Sequence, residues 1–415
     1  MGSKMGRRIF VIGFRPGSVL SEMAGKRLAE SDVILASRRI LDDLAGDHAQ
    51  WEEFLPKVKV LDKTEQTVSF LRGFTGKASV LASGDPLFFG IGRVVASEFP
   101  REDVEVHPAV SSMQLAFARI GLPWEEAFFV SLHGARTKRH WRPADLPLLA
   151  GIHRRLMILT GGEGRGPRDI APFLPEGCRV FVFERLGYPD ENISETTPAG
   201  LLERGGEFLE PNLLIVQTGG DGLPREDVCL GLEEDEFEHD GLITKDEARA
   251  ALIHKLRLPR QGVLWDIGAG SGSVGIEAKR IAPALEVYAV EKDPERARRI
   301  ALNCRRLSAG AITVVEGRAP EALAGLPAPQ RVVIGGGGEG LGDIIKAVSI
   351  SMEKGIVAVS AITLESLREA IDAFKREGFA GIEAISIAAS RMTPLADRNY
   401  MKALNPVFII RGQRH

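Results

Sequence analysis

The sequence predicts an α/β protein of two units, the second built on one Rossmann-like sheet of seven strands. Three observations predict this. The chain has 415 residues, more than one ordinary hydrophobic core holds. Short runs of Val, Ile, Leu and Phe alternate with helical stretches and Gly-rich turns along most of it. That alternation breaks once, over 219–240, where no apolar period is found.

The first unit is expected over 7–218. Its candidate strands are 8–13, 33–36, 79–84, 104–108, 127–132, 155–160, 179–184 and 212–217. Each is too short for a stable helix and rich in residues that suit a buried strand. The break at 219–240 contains Glu233-Glu234-Asp235-Glu236-Phe237-Glu238-His239-Asp240, six acids in eight residues, and reads as a solvated linker. The second unit, 241–415, alternates regularly, with strands at 263–267, 287–291, 312–316, 331–335 and 356–361. Helices are expected at 273–281, 294–307 and 364–377, and the last strands, 382–388 and 407–411, as an antiparallel pair. No internal repeat relates the two halves.

Lys and Arg number 53 against 56 Asp and Glu, a net charge of −3 that argues against nucleic acid or an anionic membrane as the main partner. Cys178, Cys229 and Cys304 are far apart and form no CxxC, so neither a disulfide framework nor a metal site is expected. Cys304 shares a helical face with Ala297, Ile300, Ala301 and Leu307, which reads as core. No apolar run is long enough for a membrane span and no signal peptide is found, so a cytoplasmic enzyme is expected.

The strongest motif is Val263-Leu264-Trp265-Asp266-Ile267-Gly268-Ala269-Gly270-Ser271-Gly272, a buried strand entering a glycine turn ahead of a helix. Glycines there let the backbone approach a ligand closely. A dinucleotide loop reads G-x-G-x-x-G, but here Ser273 holds the sixth place. Asp266 at the strand end would repel a pyrophosphate and suits a ligand with an ammonium and a sulfonium, as in S-adenosylmethionine. Glu291 ends the next strand, where a carboxylate can accept from both ribose hydroxyls. Gly317 and Ala319 follow the third strand and would flank the adenine. The fourth strand opens onto Gly335-Gly336-Gly337-Gly338, where amine methyltransferases carry Asn/Asp-Pro-Pro-Tyr. An exocyclic amine is therefore not the expected target, and an open floor at Gly335 and Gly336 suits a large flat substrate.

These residues resemble a known family. Leu242-Ile243-Thr244-Lys245-Asp246-Glu247, Leu264 to Ser273 and Val333-Ile334-Gly335-Gly336 look like the decarboxylating cobalamin-pathway methyltransferases of the CbiT type. Leu81-Ala82-Ser83-Gly84-Asp85-Pro86-Leu87-Phe88-Phe89-Gly90-Ile91-Gly92 looks like the loop of the tetrapyrrole methylases in their CbiE form, extended by 111–119 and 131–134. The fused order resembles the CobL family. The resemblance implies an N-terminal class III tetrapyrrole methylase of two α/β subdomains and a C-terminal class I S-adenosylmethionine-dependent methyltransferase. It implies methylation of a precorrin at carbons 5 and 15 with decarboxylation of the ring C acetate, precorrin-6B becoming precorrin-8X. It implies two S-adenosylmethionine sites, one at Gly84, Asp85, Pro86, Ser111, Ser112 and Leu132, the other at Thr244, Asp266, Gly268 through Gly272 (with Ala269, Gly270 and Ser271), Glu291, Gly317 and Ala319. A homo-oligomer, dimer or tetramer, is expected, with no nucleic acid, membrane or metal.

The chain departs from the family pattern at Arg15, Ala109 and Ser360, where Gly, Gly and Asn are usual. Arg15 is a candidate cation for a substrate carboxylate, as are Arg136 and Arg139 in a basic stretch; Arg391 and Arg398 are candidates in the second unit. Thr363 and Arg391 follow the fifth and sixth strands and are candidate contacts to the acetate. Two rival readings stay open from the residues alone: an RNA methyltransferase using 136–142 as a phosphate surface, and an N-terminal half that binds S-adenosylmethionine without catalysis.

Overall fold

The computed structural model describes residues 7–15, 19–45, 51–132, 141–218, 230–335 and 340–415. The chain divides into two compact units, one of Met1–Gly134, Arg155–Ala171 and Glu176–Gln217, the other of Ala135–Arg154, Pro172–Pro175 and Thr218–His415.

The first unit holds two five-stranded sheets. One contains β1 (Arg8–Phe14), β2 (Val33–Ala36), β3 (Val58–Val60), β4 (Lys77–Ser83) and β5 (Val104–His107), all parallel, in the order β3-β2-β4-β1-β5. Ile9, Val11, Val80 and Leu35 bury one face, and Phe10, Ile12, Ile34 and Leu81 the other. A parallel sheet covered on both faces needs such continuous apolar runs, which made most of these strands legible. The other sheet contains β6 (Ala127–Ser131), β7 (Arg155–Leu159), β8 (Arg179–Glu184), β9 (Asn192–Thr196) and β10 (Asn212–Gln217), in the order β6-β7-β10-β8-β9. It is mixed: only β6 and β7 run parallel. The edge strands β3 and β9 were not expected; β9 (Asn-Ile-Ser-Glu-Thr) is mostly exposed and carries little apolar signal.

The second unit holds one seven-stranded sheet of β11 (Gln261–Ile267), β12 (Ala284–Glu291), β13 (Ile312–Glu316), β14 (Arg331–Ile334), β15 (Gly355–Ala361), β16 (Ala380–Ile387) and β19 (Val407–Arg414). The order is β13-β12-β11-β14-β15-β19-β16, with β19 antiparallel to both neighbours. The expected seven strands and final antiparallel pair are present. A hairpin of β17 (Ser390–Leu395) and β18 (Arg398–Ala403) stands between β16 and β19. Its two-residue turn, Ala396-Asp397, lacks the glycine that usually announces a hairpin. Helices Asp246–Leu256 and Leu341–Ser351 were also not expected. No helix among the described residues is long and apolar enough to cross a membrane.

Two parts of the chain differ from the expected organisation. Residues 141–154 belong to the second unit. There the buried Asp145 accepts from Ala311 N at 2.8 Å and pairs with the buried Lys279 at 3.0 Å, while Arg142 donates to Thr313 Oγ1 at 3.1 Å and Ala311 O at 2.6 Å. The reading of the acidic stretch as a linker is corrected for 230–240, where Glu233, Asp235, Glu238 and Asp240 are exposed but the stretch packs on the unit; 219–229 lie outside the described residues. Leu232 and Phe237 are buried against Ile276 and Ala309. Asp240 pairs with Arg296 at 2.8 Å and Arg299 at 3.2 Å, Glu238 with Arg306 at 2.9 Å, and Glu234 with Lys245. The acids meet a basic helix, Pro294–Arg306, and Asp240 falls to about 2 chiefly through its hydrogen bond from Arg296.

Candidate functional sites

Each unit has a cavity where its parallel strands end. In the first unit a cavity of about 520 Å³ collects the chain after β1 (Arg15), β4 (Gly84, Asp85) and β5 (Val110, Ser111, Ser112), together with Ser131 at the end of β6, Thr160 after β7 and Tyr188 after β8. Strand β1 lies between β4 and β5, so the chain crosses here to opposite sides of the sheet, the usual place for a ligand crevice. The loop is tightly built: a Cβ on Gly13 would stand 2.3 Å from Gly84 O and 2.8 Å from Ala109 N. Asp85 Oδ1 accepts from Leu87 N at 2.8 Å, so its side chain shapes the turn. Ser111 caps helix Ser112–Ile120, accepting from Gln114 N at 3.2 Å, and Gln114 Oε1 accepts from Ser111 N at 3.0 Å.

Of the residues expected here, Gly84, Asp85, Ser111, Ser112 and Arg15 line the cavity. Pro86 and Leu132 are buried and do not; Pro86 packs under Gly90 and Gly92, where a Cβ would stand 2.6 and 2.7 Å from its atoms. Arg136 and Arg139 lie outside the described residues. Arg39, Lys63 and Tyr188 also line it and were not anticipated, because nothing in their local sequence distinguishes them from surface residues.

In the second unit a cavity of about 990 Å³ lies beyond the carboxyl ends of β11, β12, β13 and β14, at the β11–β14 switch. Thr244, Gly268, Ala269, Gly270, Ser271, Glu291, Gly317, Ala319 and Gly335 line it as expected. Gly268 has φ +71, and a Cβ there would stand 2.6 Å from Gly335 O. Only glycine lets these two strand ends approach so closely. Glu291 is buried; Oε2 accepts from Gly270 N at 2.8 Å and Oε1 from Asp293 N at 3.0 Å. Its carboxylate thus ties the glycine turn to the end of β12 while still lining the cavity. Gly336 lies outside the described residues.

Other expected residues do different work. Gly272 does not line the cavity and packs on Ile300. Asp266 turns inward: its carboxylate is buried and accepts from Gly275 N at 2.9 Å, so it braces the helix behind the turn. Burial, opposed by that hydrogen bond and reinforced by Glu291, pushes Asp266 up to about 7. Thr363 caps helix Leu364–Arg376, accepting from Ser366 N at 3.1 Å, and does not line the cavity. Arg391 is also absent from the cavity. It sits on β17, bonded to Glu247 at 3.0 Å, Glu234 at 3.2 Å and Asp246 at 3.3 Å. Three carboxylates already compensate its charge, so the expected contact to an acetate is corrected. Arg398 lies exposed on β18.

Unanticipated lining comes from Lys292, Arg296 and Arg318, with Ile334, Leu341, Ile344, Ile362, Leu404 and Val407 forming an apolar side. An apolar wall with a few cations suits a flat, carboxylate-bearing ligand. Cys178 and Cys304 are inert by environment: burial pushes Cys178 up to about 11 and Cys304 up to about 12.

The raised Asp266 has a consequence for stability. A carboxyl held near 7 when folded and near 3.8 when unfolded binds more protons in the folded state, so it costs stability as pH rises between those values. Asp266→Asn keeps an acceptor for Gly275 and removes the charge. Relative to wild type, the second unit of this variant should be equally stable below about pH 4, gain between about 4 and 7, and hold that gain above. Thermal unfolding at three pH values checks this; a difference independent of pH would refute it.

Comparison with known proteins also divides the chain in two. A family described as tetrapyrrole (corrin/porphyrin) methylases matches residues 8–201, and one described as a precorrin methyltransferase domain matches 235–414. A Sinorhizobium protein named precorrin-6Y C(5,15)-methyltransferase (decarboxylating) is 34% identical over 410 residues, 96% of this chain and 94% of its own length. A Mycobacterium tuberculosis protein of the same name is 30% identical over 383 residues, 89% of this chain and 91% of its own. A Pyrobaculum calidifontis protein named probable cobalt-precorrin-6B C(15)-methyltransferase (decarboxylating) is 41% identical over 184 residues, 43% of this chain and 94% of its own.

Proposed function

We propose a division of labour that proceeds from one premise: the chain belongs to the family of decarboxylating precorrin-6Y C(5,15)-methyltransferases. It is an S-adenosylmethionine-dependent enzyme of corrin biosynthesis, a tetrapyrrole methylase followed by a precorrin methyltransferase domain. In our reading each unit binds its own cofactor, the first acts at carbon 5, and the second acts at carbon 15 and releases carbon dioxide. We assign 7–218 to the first activity, except 141–154, which pack in the second unit, and 230–415 to the second. The observation that carries the reading is the pair of separate cavities, each at a strand-order switch and each lined by a glycine, Gly90 or Gly268, whose Cβ would stand 2.6 Å from a backbone oxygen.

Bound in either cavity, the cofactor supplies an electrophilic methyl group on a sulfonium. The protein's task is to position and to exclude water. In the first cavity Gly84 and Asp85 offer a fixed backbone turn, and Ser111 and Ser112, at the start of a helix, line the same space. In the second, the Gly268–Ser271 turn lies beside Glu291, whose carboxylate has lone pairs left for ribose hydroxyls, while Gly317 and Ala319 offer backbone beside an adenine. Lys292 and Arg318 line that cavity and are suited to the carboxylates of a precorrin.

The test is a calorimetric titration with S-adenosylmethionine. Two molecules per chain are expected. Glu291→Ala should weaken one of them by about 1–3 kcal/mol, through lost charge-assisted hydrogen bonds, and leave the other unchanged. A stoichiometry of one, or no effect of the substitution, would break the two-site reading.

We also propose that the chain forms a homo-oligomer through the β17–β18 hairpin. Met392 and Met401 pair across it on one face and are 69% and 62% exposed, an apolar pair that a second copy can cover. Sedimentation should give a mass above 45.0 kDa, falling to that value when Met392 and Met401 become Lys. A wild-type monomer would sink this assignment.

A further inference from the structure

Adding a methyl group to a bridging methine carbon is half of a substitution. The carbon keeps its own hydrogen, and conjugation returns only when that hydrogen leaves as a proton. Methylation at carbon 5, as assigned to the first unit above, therefore calls for a proton acceptor at the first cavity. Among the described residues, the carboxylates lining it are Asp62 and Asp85. Each is engaged by backbone, Asp62 Oδ1 accepting from Arg38 N at 2.6 Å and Asp85 Oδ1 from Leu87 N at 2.8 Å.

A third carboxylate reaches the cavity through a hydroxyl. Tyr188 lines the cavity, and its Oη donates to Asp43, lying 3.0 Å from both carboxylate oxygens. Asp43 stands on helix Arg38–Ala45 and does not itself line the cavity. The two residues are 145 positions apart, so only the fold joins them. The Arg185 guanidinium lies 4.5 Å from the Tyr188 ring centroid and is held by Asp190 at 2.6 Å.

We propose that Tyr188 and Asp43 form the proton relay of the first methyl transfer, Tyr188 touching the substrate carbon's hydrogen and Asp43 accepting through it. The step balances as follows. The ring carbon forms a bond to the methyl carbon, and the sulfur–methyl bond breaks with its electron pair going to sulfur. The macrocycle now carries the positive charge, which acidifies the hydrogen on that carbon. The carbon–hydrogen bond breaks, its electrons return to the conjugated system, and the proton goes to the Tyr188 oxygen as the Tyr188 proton goes to Asp43. Solvent then takes the proton from Asp43.

The surroundings suit these roles. Burial raises Asp43 from its ordinary value, opposed by its hydrogen bond from Tyr188 and by Arg39 and Arg185, with Asp42 adding to the rise. A raised carboxyl holds a proton more readily, as an acceptor must. Burial, then the Asp43 charge, pushes Tyr188 up to about 12, so the phenol stays neutral and passes a proton without ionising.

The test uses the full chain with its precorrin substrate, scoring the two methylations separately by mass spectrometry. Tyr188→Phe should lower kcat for carbon 5 by about 100-fold or more, with KM within about threefold, since general acid–base catalysis contributes roughly 10²–10⁴-fold. Methylation at carbon 15 and carbon dioxide release should be unchanged. Asp43→Asn should show the same loss, and the wild-type fall in carbon 5 rate at acid pH should vanish from its pH profile. Without any turnover, ultraviolet titration of the three tyrosines should show Tyr188 ionising at lower pH in Asp43→Asn. A carbon 5 kcat within threefold of wild type in Tyr188→Phe overturns the relay. So does a raised KM with kcat intact, or lost cofactor affinity, either of which makes Tyr188 a binding or structural residue. A wild-type chain that never methylates carbon 5 overturns the function assigned to the first unit instead, which the wild-type control shows directly.

Discussion

Replacing Arg249 with methionine is expected to remove about 3–5 kcal/mol from the stability of the second unit, because it strands a buried carboxylate. Arg249 is fully buried on helix Asp246–Leu256. Its Nε donates to Glu277 at 2.8 Å, its Nη1 to Thr244 O at 3.0 Å, and its Nη2 to Asp246 at 3.0 Å and to Leu232 O. The guanidinium also lies 5.1 Å from the Phe237 ring centroid. Glu277, equally buried, accepts in addition from Gly231 N and Leu232 N, each at 2.7 Å. One ion pair therefore holds the acidic stretch, and through Thr244 one wall of the cavity, against the core. A unit of this size shifts by about 2–4 °C per kcal/mol, so the melting temperature should fall by roughly 6–20 °C. Adding Glu277→Gln should recover part of the loss, since the stranded charge is then gone. Calorimetry on both variants decides; a single-variant loss under about 1 kcal/mol would mean that the pair holds nothing.

Replacing Gly268 with valine is expected to abolish methylation at carbon 15, to below about 1% of wild type, while carbon 5 methylation continues. Two penalties coincide. A non-glycine residue at φ +71 costs about 1–2 kcal/mol, more for a β-branched one. The Cβ would also stand 2.6 Å from Gly335 O, and that contact is backbone, so no rotamer relieves it. The ends of β11 and β14 must move apart, and they form the floor of the second cavity. Displacement of a reacting group by about 1 Å can cost 10²-fold in rate. Product masses from one reaction report both positions. Carbon 15 activity above about a tenth of wild type would show that the strand ends tolerate separation and would remove the close approach from the mechanism.

Both glycine turns, the strands that feed them and the class of cofactor were legible from the sequence alone. Those features are local: a buried parallel strand needs a continuous apolar run, and a tight approach needs glycine at a fixed offset, so each leaves its mark within about ten residues. Glu291 was legible for the same reason, being in register with the turn. Charge partnerships were not. Arg391 carried the same local signal as a substrate-binding arginine until the fold set it among Asp246, Glu247 and Glu234. The acid run 233–240 looked like a free linker because the arginines of helix Pro294–Arg306 lie more than fifty residues further along. Asp266 showed which ligand charge would suit the site but not that its carboxylate turns away from it, toward Gly275. Tyr188 and Asp43 left no local trace at all. Backbone shape is set by neighbours along the chain, whereas the state of a charge or proton is set by neighbours in space, and only tertiary structure decides those.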